Sequence, residues 1–247
     1  MKAIRRHLFL VFLSTGLAQM HLHAQRGNFI SIPGDSGKEY KVFAAGAEDA
    51  GAAVIFVHDY FGISAAAKQS VERLASFGYR VVGVDLYKGK SATEHNAAMA
   101  LMHDVDKGET MRILRAAINY LKRPGRKIAS VGFSAGCVDA MNANLLAPEL
   151  FSGTILIYGG GYDQIEKEKL NKLTSPVLAI TGSLDKWPMD AAMNFMTLQK
   201  EKPFSLYVQY GADHGYAQPL FNGGKNYDYE ATRITWVLVE DFLRQRL

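Results

Sequence analysis

The chain has 247 residues, 48% hydrophobic and 21% charged, with 23 Gly and 7 Pro. Nearly half of the side chains can be buried, which excludes disordered, collagen-like and low-complexity classes. The formal charge of +4 carries no nucleic-acid signature: the densest basic cluster, Lys122-Arg123 with Arg126-Lys127, merely flanks a Pro124-Gly125 turn.

Residues 1–24 read as an export leader. Lys2, Arg5 and Arg6 come first, an apolar stretch runs from Leu8 to Leu17, and Leu22-His23-Ala24 offers a small-residue cleavage site before Gln25, with Ala18 as a second choice. The apolar stretch is broken by Ser14, Thr15 and Gly16 and falls short of the ~18 residues of a spanning helix. The expectation is a periplasmic or secreted protein with no stable membrane anchor. Removing the leader takes three basic residues and leaves the charge nearly balanced. The single cysteine, Cys137, cannot form an intramolecular disulfide, and a core this large does not need one.

Residues 28–32 and 39–43 are short extended stretches around the turn material Pro33-Gly34-Asp35-Ser36-Gly37, a leading hairpin. An alternation of strands and helices follows. Residues 53–58 (AVIFVH) and 80–85 (RVVGVD) have the uncharged, β-branched centres of strands buried on both faces. Between them, residues 64–77 carry helical periodicity and end at Gly78. Residues 92–122 are helical, with Met111, Leu114, Ile118 and Leu121 at spacings of three and four. Residues 127–133 (KIASVGF) form a strand, 135–146 a helix, 154–158 and 176–181 two more strands, and 188–198 a helix. A strand over 204–210 and a helix over 233–243 close the chain. This pattern predicts an α/β fold with a mostly parallel central sheet and helices on both faces. No repeat or linker divides it, so residues 25–247 are read as one domain. In such sheets the site lies at the carboxyl ends of the strands.

Gly132-Phe133-Ser134-Ala135-Gly136 lies there, directly after a strand and directly before a helix. A serine on so sharp a turn needs glycine two positions either side, and the turn lifts its hydroxyl above the sheet. Ser134 is therefore the expected nucleophile. A hydroxyl needs a base, and the base needs an acid to hold its tautomer. His95 and His103 fall on an amphipathic helix, and His58 reads as a satisfied strand-end histidine. His214, in Gly211-Ala212-Asp213-His214-Gly215 past the last strand, is the expected base. Asp185, one turn after the preceding strand, is the expected acid, ahead of Asp213 and Asp190. The order Ser134, Asp185, His214 is that of α/β-hydrolases. The backbone amides of Ala135 and Tyr60 are the expected oxyanion donors. Trp187, Tyr216 and Phe221 flank the acid and base and could wall the pocket. Cys137, one helical turn beyond Ser134, reads as a packing residue. No metal-ligand pattern occurs, and Gly159-Gly160-Gly161 lacks dinucleotide-site spacing, so no cofactor is expected.

Together AVIFVHDYFG (53–62), RVVGVDLYKG (80–89), VGFSAG (131–136), PVLAITGSLD (176–185) and YGADHGYAQP (210–219) resemble the dienelactone hydrolase family of α/β-hydrolases, over roughly residues 27–247. The resemblance implies a hydrolase of small esters. It also implies three departures. Ser134 stands where that family's cysteine nucleophile lies, Asp59 where a glutamate poises the thiol, and Gln218 where an arginine binds the substrate carboxylate. Asp59, Gln218, Trp187 and Tyr216 are thus candidate substrate-binding residues, and Lys88 and Lys90 are either solvated or meet an anionic substrate. The reading that results is a serine esterase acting through an acyl-enzyme on a small-molecule ester. The alternatives are a peptidase or amidase of the same fold, or a hydrolase-fold binding protein without catalysis.

Overall fold

The uncharged, β-branched runs build the centre of the protein, an eight-stranded sheet ordered β1-β2-β4-β3-β5-β6-β7-β8. Its strands are β1 (Asn28–Pro33), β2 (Glu39–Ala45), β3 (Ala52–Val57), β4 (Arg80–Val84), β5 (Lys127–Phe133), β6 (Phe151–Ile157), β7 (Val177–Gly182) and β8 (Phe204–Gln209). Strand β2 runs against both β1 and β4, and every other pairing is parallel. The computed structural model describes residues 26–247; the expected leader, residues 1–24, lies outside the described residues.

Helices cover both faces: α1 (Ala65–Ser76), α2 (His95–His103), α3 (Lys107–Leu121), α4 (Gly136–Leu146), α5 (Lys167–Leu170), α6 (Lys186–Leu198) and α7 (Tyr229–Arg246). Successive side chains of a strand point to opposite faces, so β3 divides itself between two cores. Ala53, Ile55 and Val57 pack with Leu114 of α3, Met141 of α4 and Phe195 of α6. Val54 and Phe56 pack with Val71 and Leu74 of α1 and Trp236 and Val239 of α7. Each Val, Leu or Ile fully buried this way contributes roughly 1.5–3 kcal/mol, and the charges of β4 and β5, Arg80 and Lys127, are confined to their first residues.

The helical stretch 92–122 is two helices, because Asp106 leaves the helical conformation and its carboxylate caps α3 at Gly108 and Glu109. The last helix starts at Tyr229 rather than 233, because Asp228 accepts from the Ala231 amide and nucleates an earlier turn. Strand β6 also starts earlier than 154, pairing from Phe151 with Ile128 across a register shift. All the parallel strands end on one edge, and the loops beyond β3, β5, β7 and β8 meet there.

Candidate active site

Strand β5 ends at Phe133, and Ser134 follows with φ +50°, a left-handed conformation that costs a non-glycine residue about 1–3 kcal/mol. The neighbouring glycines allow it. A Cβ on Gly136 would lie 2.5 Å from the His58 carbonyl oxygen, and one on Gly132 would lie 2.5 Å from that of Gly136. The Ser134 amide donates to the Ile157 carbonyl at 2.9 Å, which anchors the turn to β6. Helix α4 begins two residues later, so the positive end of its dipole faces the serine.

The three residues expected to act together converge. Ser134 Oγ lies 2.9 Å from His214 Nε2, and His214 Nδ1 lies 2.6 Å from Asp185 Oδ2. A carboxylate only accepts, so Nδ1 carries the proton and Nε2 is left bare to accept from the serine hydroxyl. Asp185 is 6% exposed and precedes α6 directly. Its loop is stitched to the histidine loop: the Leu184 amide donates to the Ala212 carbonyl at 3.0 Å, and the Gly211 amide to Ser183 Oγ at 2.9 Å. Acid and base are therefore held by one hydrogen-bonded unit. The rival acids point elsewhere. Asp213 accepts from the backbone amide of His214 at 2.7 Å, and Asp190 pairs with Lys186 at the surface.

The loop after β3 is ordered by Asp59. Its Oδ1 accepts from the Phe61 amide at 2.9 Å, and its carbonyl accepts from the Gly62 amide at 3.2 Å. That leaves the Tyr60 amide without a partner among the described residues, and the Ala135 amide is in the same state. These are the two amides from which the sequence reading expects oxyanion donation.

The substrate-binding expectations divide. Trp187, 48% exposed, has its ring 5.8 Å from the His214 ring, and the Phe221 ring lies 5.1 Å from it, so both stand beside the histidine. Tyr216 does not. It is fully buried, bonded to Thr235 Oγ1 at 2.6 Å, and packs edge-to-face against Tyr158. Asp59 and Gln218 also turn away from the mouth and bond each other, Gln218 Nε2 donating to Asp59 Oδ2 at 2.6 Å. Burial raises the Asp59 carboxyl above the usual range, and the Gln218 and Phe61 donors partly offset it. A buried carboxylate must be satisfied internally, and this one ties the oxyanion loop to the histidine loop. Lys88 and Lys90 are exposed. Cys137 is buried, with Sγ 3.3 Å from the Gly132 carbonyl oxygen, and burial pushes its thiol pKa far up, so it packs and does not attack.

Two contributors escaped the sequence reading. Tyr158, at the carboxyl end of β6, lies edge-on beneath the His214 ring at 5.6 Å; its strand-end position was the available signal. Asn226 donates to the His214 carbonyl at 2.9 Å, a contact with no local signature.

His58 is buried with both ring nitrogens engaged. Its Nδ1–H donates to the Asp59 carbonyl at 2.6 Å, and its Nε2 accepts from the Leu86 amide at 3.3 Å. Protonation would turn Nε2 from acceptor to donor against that amide, and burial lowers the pKa below 6.5. The unfolded chain therefore takes up a proton first as pH falls through 6.5, and stability is lost on acidification. Urea denaturation between pH 7.5 and 5 should show a His58-dependent component of up to about 1.4 kcal/mol per pH unit, absent in His58→Gln. Equal pH slopes in the two proteins would refute it.

Among the described residues no group of three or more His, Cys, Asp or Glu side chains is placed to hold a metal ion, and no helix is long and apolar enough to cross a membrane.

Comparison with known proteins agrees with this architecture. The family model described as "Dienelactone hydrolase family" matches residues 40–247. Carboxymethylenebutenolidase 1 of Cupriavidus pinatubonensis is 24% identical over 200 residues, covering 75% of this chain and 82% of the relative. A crystal structure of dienelactone hydrolase from Anabaena variabilis superposes with TM-score 0.71 at 19% identity, covering 91% of this chain and all of that one. An esterase of Pyrococcus furiosus superposes with TM-score 0.66 at 14% identity, covering 90% and 92%. At such identities the structural matches establish the α/β-hydrolase fold.

Proposed function

The chain belongs to the dienelactone hydrolase family, and so to the hydrolases that act on ester bonds, and from that membership we propose that it is a serine carboxylesterase working through Ser134, His214 and Asp185. The observation that carries the reading is the unbroken line of hydrogen bonds from Ser134 Oγ through His214 to Asp185, beside two amides with no partner among the described residues. Ser134 Oγ attacks the ester carbonyl while His214 Nε2 takes its proton. Asp185 holds the imidazole in the accepting tautomer and stabilises the imidazolium that forms. The carbonyl oxygen becomes an oxyanion held by the amides of Ala135 and Tyr60. His214 then passes its proton to the departing alcohol oxygen, leaving an acyl-Ser134. Water attacks that acyl group with His214 again as base, and the carboxylic acid leaves.

The serine in place of the family's cysteine and Gln218 in place of its arginine support an ester other than a dienelactone. Residues 25–247 act as one catalytic domain in this reading. The basic start, apolar stretch and Ala24 of residues 1–24 support export to the periplasm or outside the cell, with removal of that leader.

Treatment with a fluorophosphonate should add one adduct by intact mass to the wild type and none to Ser134→Ala. The unlabelled mass from the exporting host reports the loss of residues 1–24. Absence of an adduct on folded protein would overturn the catalytic reading in favour of a binding protein.

A further inference from the structure

Helix α4 follows the proposed nucleophile directly. It buries Cys137, Ala140, Met141 and Asn144 against the sheet. Its other side, Ala135, Val138, Asp139, Asn142 and Leu145, is only half-covered and forms the floor of a cavity of about 740 Å³. That volume lies within the range of small-molecule sites, roughly 300–1,000 Å³. Met102, Val105, Met111 and Ile165 also line it, and the exposed side chains of Lys107, Glu166, Lys169 and Lys172 complete its lining. One end of the cavity reaches His58, Leu86 and Ala135, beside the amide assigned to the oxyanion. Of the residues proposed for catalysis its lining includes Ala135 but not Ser134, Tyr60 or His214, and it does not touch Trp187 or Phe221.

That asymmetry decides which half of an ester it can take. The leaving alcohol must receive its proton from His214 Nε2, so it lies on the side walled by Trp187 and Phe221. With the carbonyl oxygen held between Ala135 and Tyr60, the remaining substituent of the carbonyl carbon points to the other side, along α4. We propose, resting on the esterase reading above, that this cavity is the acyl pocket and that it selects esters of apolar, straight-chain acids longer than acetate. The floor supports an uncharged chain: the one carboxyl along it, Asp139, is held by Asn142 Nδ2 at 3.2 Å, and burial raises its pKa. A second hollow of about 490 Å³ beside Tyr60 is lined by Thr93, Glu94, His95 and Asn222.

The test is a matched pair of substrate series. In one, the p-nitrophenyl esters of acetate, butyrate, hexanoate and octanoate vary the acid. In the other, acetates of ethanol, butanol and hexanol vary the alcohol. Wild-type kcat/KM should rise with acid length by up to about fourfold per methylene, the factor equivalent to burying one, and should change little with alcohol length. Val138→Trp, from the floor, should flatten the acid series while leaving acetate hydrolysis within threefold or so. Because Val138 packs near Gly161, Met111→Trp from elsewhere in the lining provides an independent block, and both variants are checked by near-UV circular dichroism. The proposal is overturned by a flat acid series in the wild type, by equal losses on acetate and octanoate in both variants, or by variants that alter only the alcohol series. If instead Ser134→Ala hydrolyses these esters as well as wild type, the esterase reading itself fails, whatever the chain-length profile.

Discussion

Ser134→Ala should lower kcat for ester hydrolysis by on the order of 10⁶-fold, the magnitude seen when a triad nucleophile is removed. The variant should nevertheless fold normally. Among the described residues, the hydroxyl makes one hydrogen bond, to His214, and the turn is held by backbone and by the flanking glycines rather than by the side chain. Its stability should stay within about 0.5 kcal/mol of wild type, as for substitutions that remove no core contact. The two measurements belong together. Lost activity with an unchanged urea midpoint isolates chemistry; a shifted midpoint would mean that the turn had moved. Activity retained within tenfold would require a different nucleophile, and Cys137 cannot be it, since its thiol is buried and bonded towards the Gly132 carbonyl.

Asp185→Asn should cost about 10⁴-fold in kcat, for a different reason. The substitution preserves shape and can preserve a hydrogen bond, but an amide that donates to Nδ1 forces the imidazole proton onto Nε2. That nitrogen then faces the Ser134 hydroxyl as a donor and can no longer take its proton. The buried position of Asp185 makes the swap sharp, because no water competes to restore the tautomer. Asp213→Asn is the matched control. Asp213 bonds the backbone of His214 and not its ring, so its variant should retain most activity. If the two variants lost activity equally, the assignment of the acid would be wrong. Rates are best measured in single-turnover mode, so that slow deacylation is not mistaken for slow attack.

Two of the departures from the related family acquire a structural sense when taken together. At the positions where the resemblance implies a glutamate that poises the thiol and an arginine that binds the substrate carboxylate, this chain has Asp59 and Gln218 bonded to each other. A shorter acid with a neutral partner suits a buried tie between loops better than a site for an anion, since each lone charge withdrawn from water carries a desolvation cost.

The sequence by itself determined the alternation of strands and helices, the edge where the chemistry gathers, and the turn that carries Ser134. These properties are local. A β-branched run of six residues, a capping aspartate, or glycines two positions either side of a serine each act through contacts within a few residues. Even the choice of Asp185 and His214 rested on local facts, their places just past two adjacent strands. The tertiary structure alone decided which side chains those strand ends turn inward. Gln218 and Asp59 are 159 positions apart, and whether they face a ligand or each other depends on how two loops close over the sheet. Tyr216, two residues from His214, was expected at the mouth and lies buried against Thr235, because the loop reverses between them and α7 presents a hydroxyl there. The cavity along α4 is likewise invisible in sequence. The half-apolar stripe of that helix predicts burial, yet Val138 and Leu145 stay half-covered and line the cavity. Side-chain direction follows from the summed geometry of every strand and loop between the partners, so a linear pattern cannot specify it.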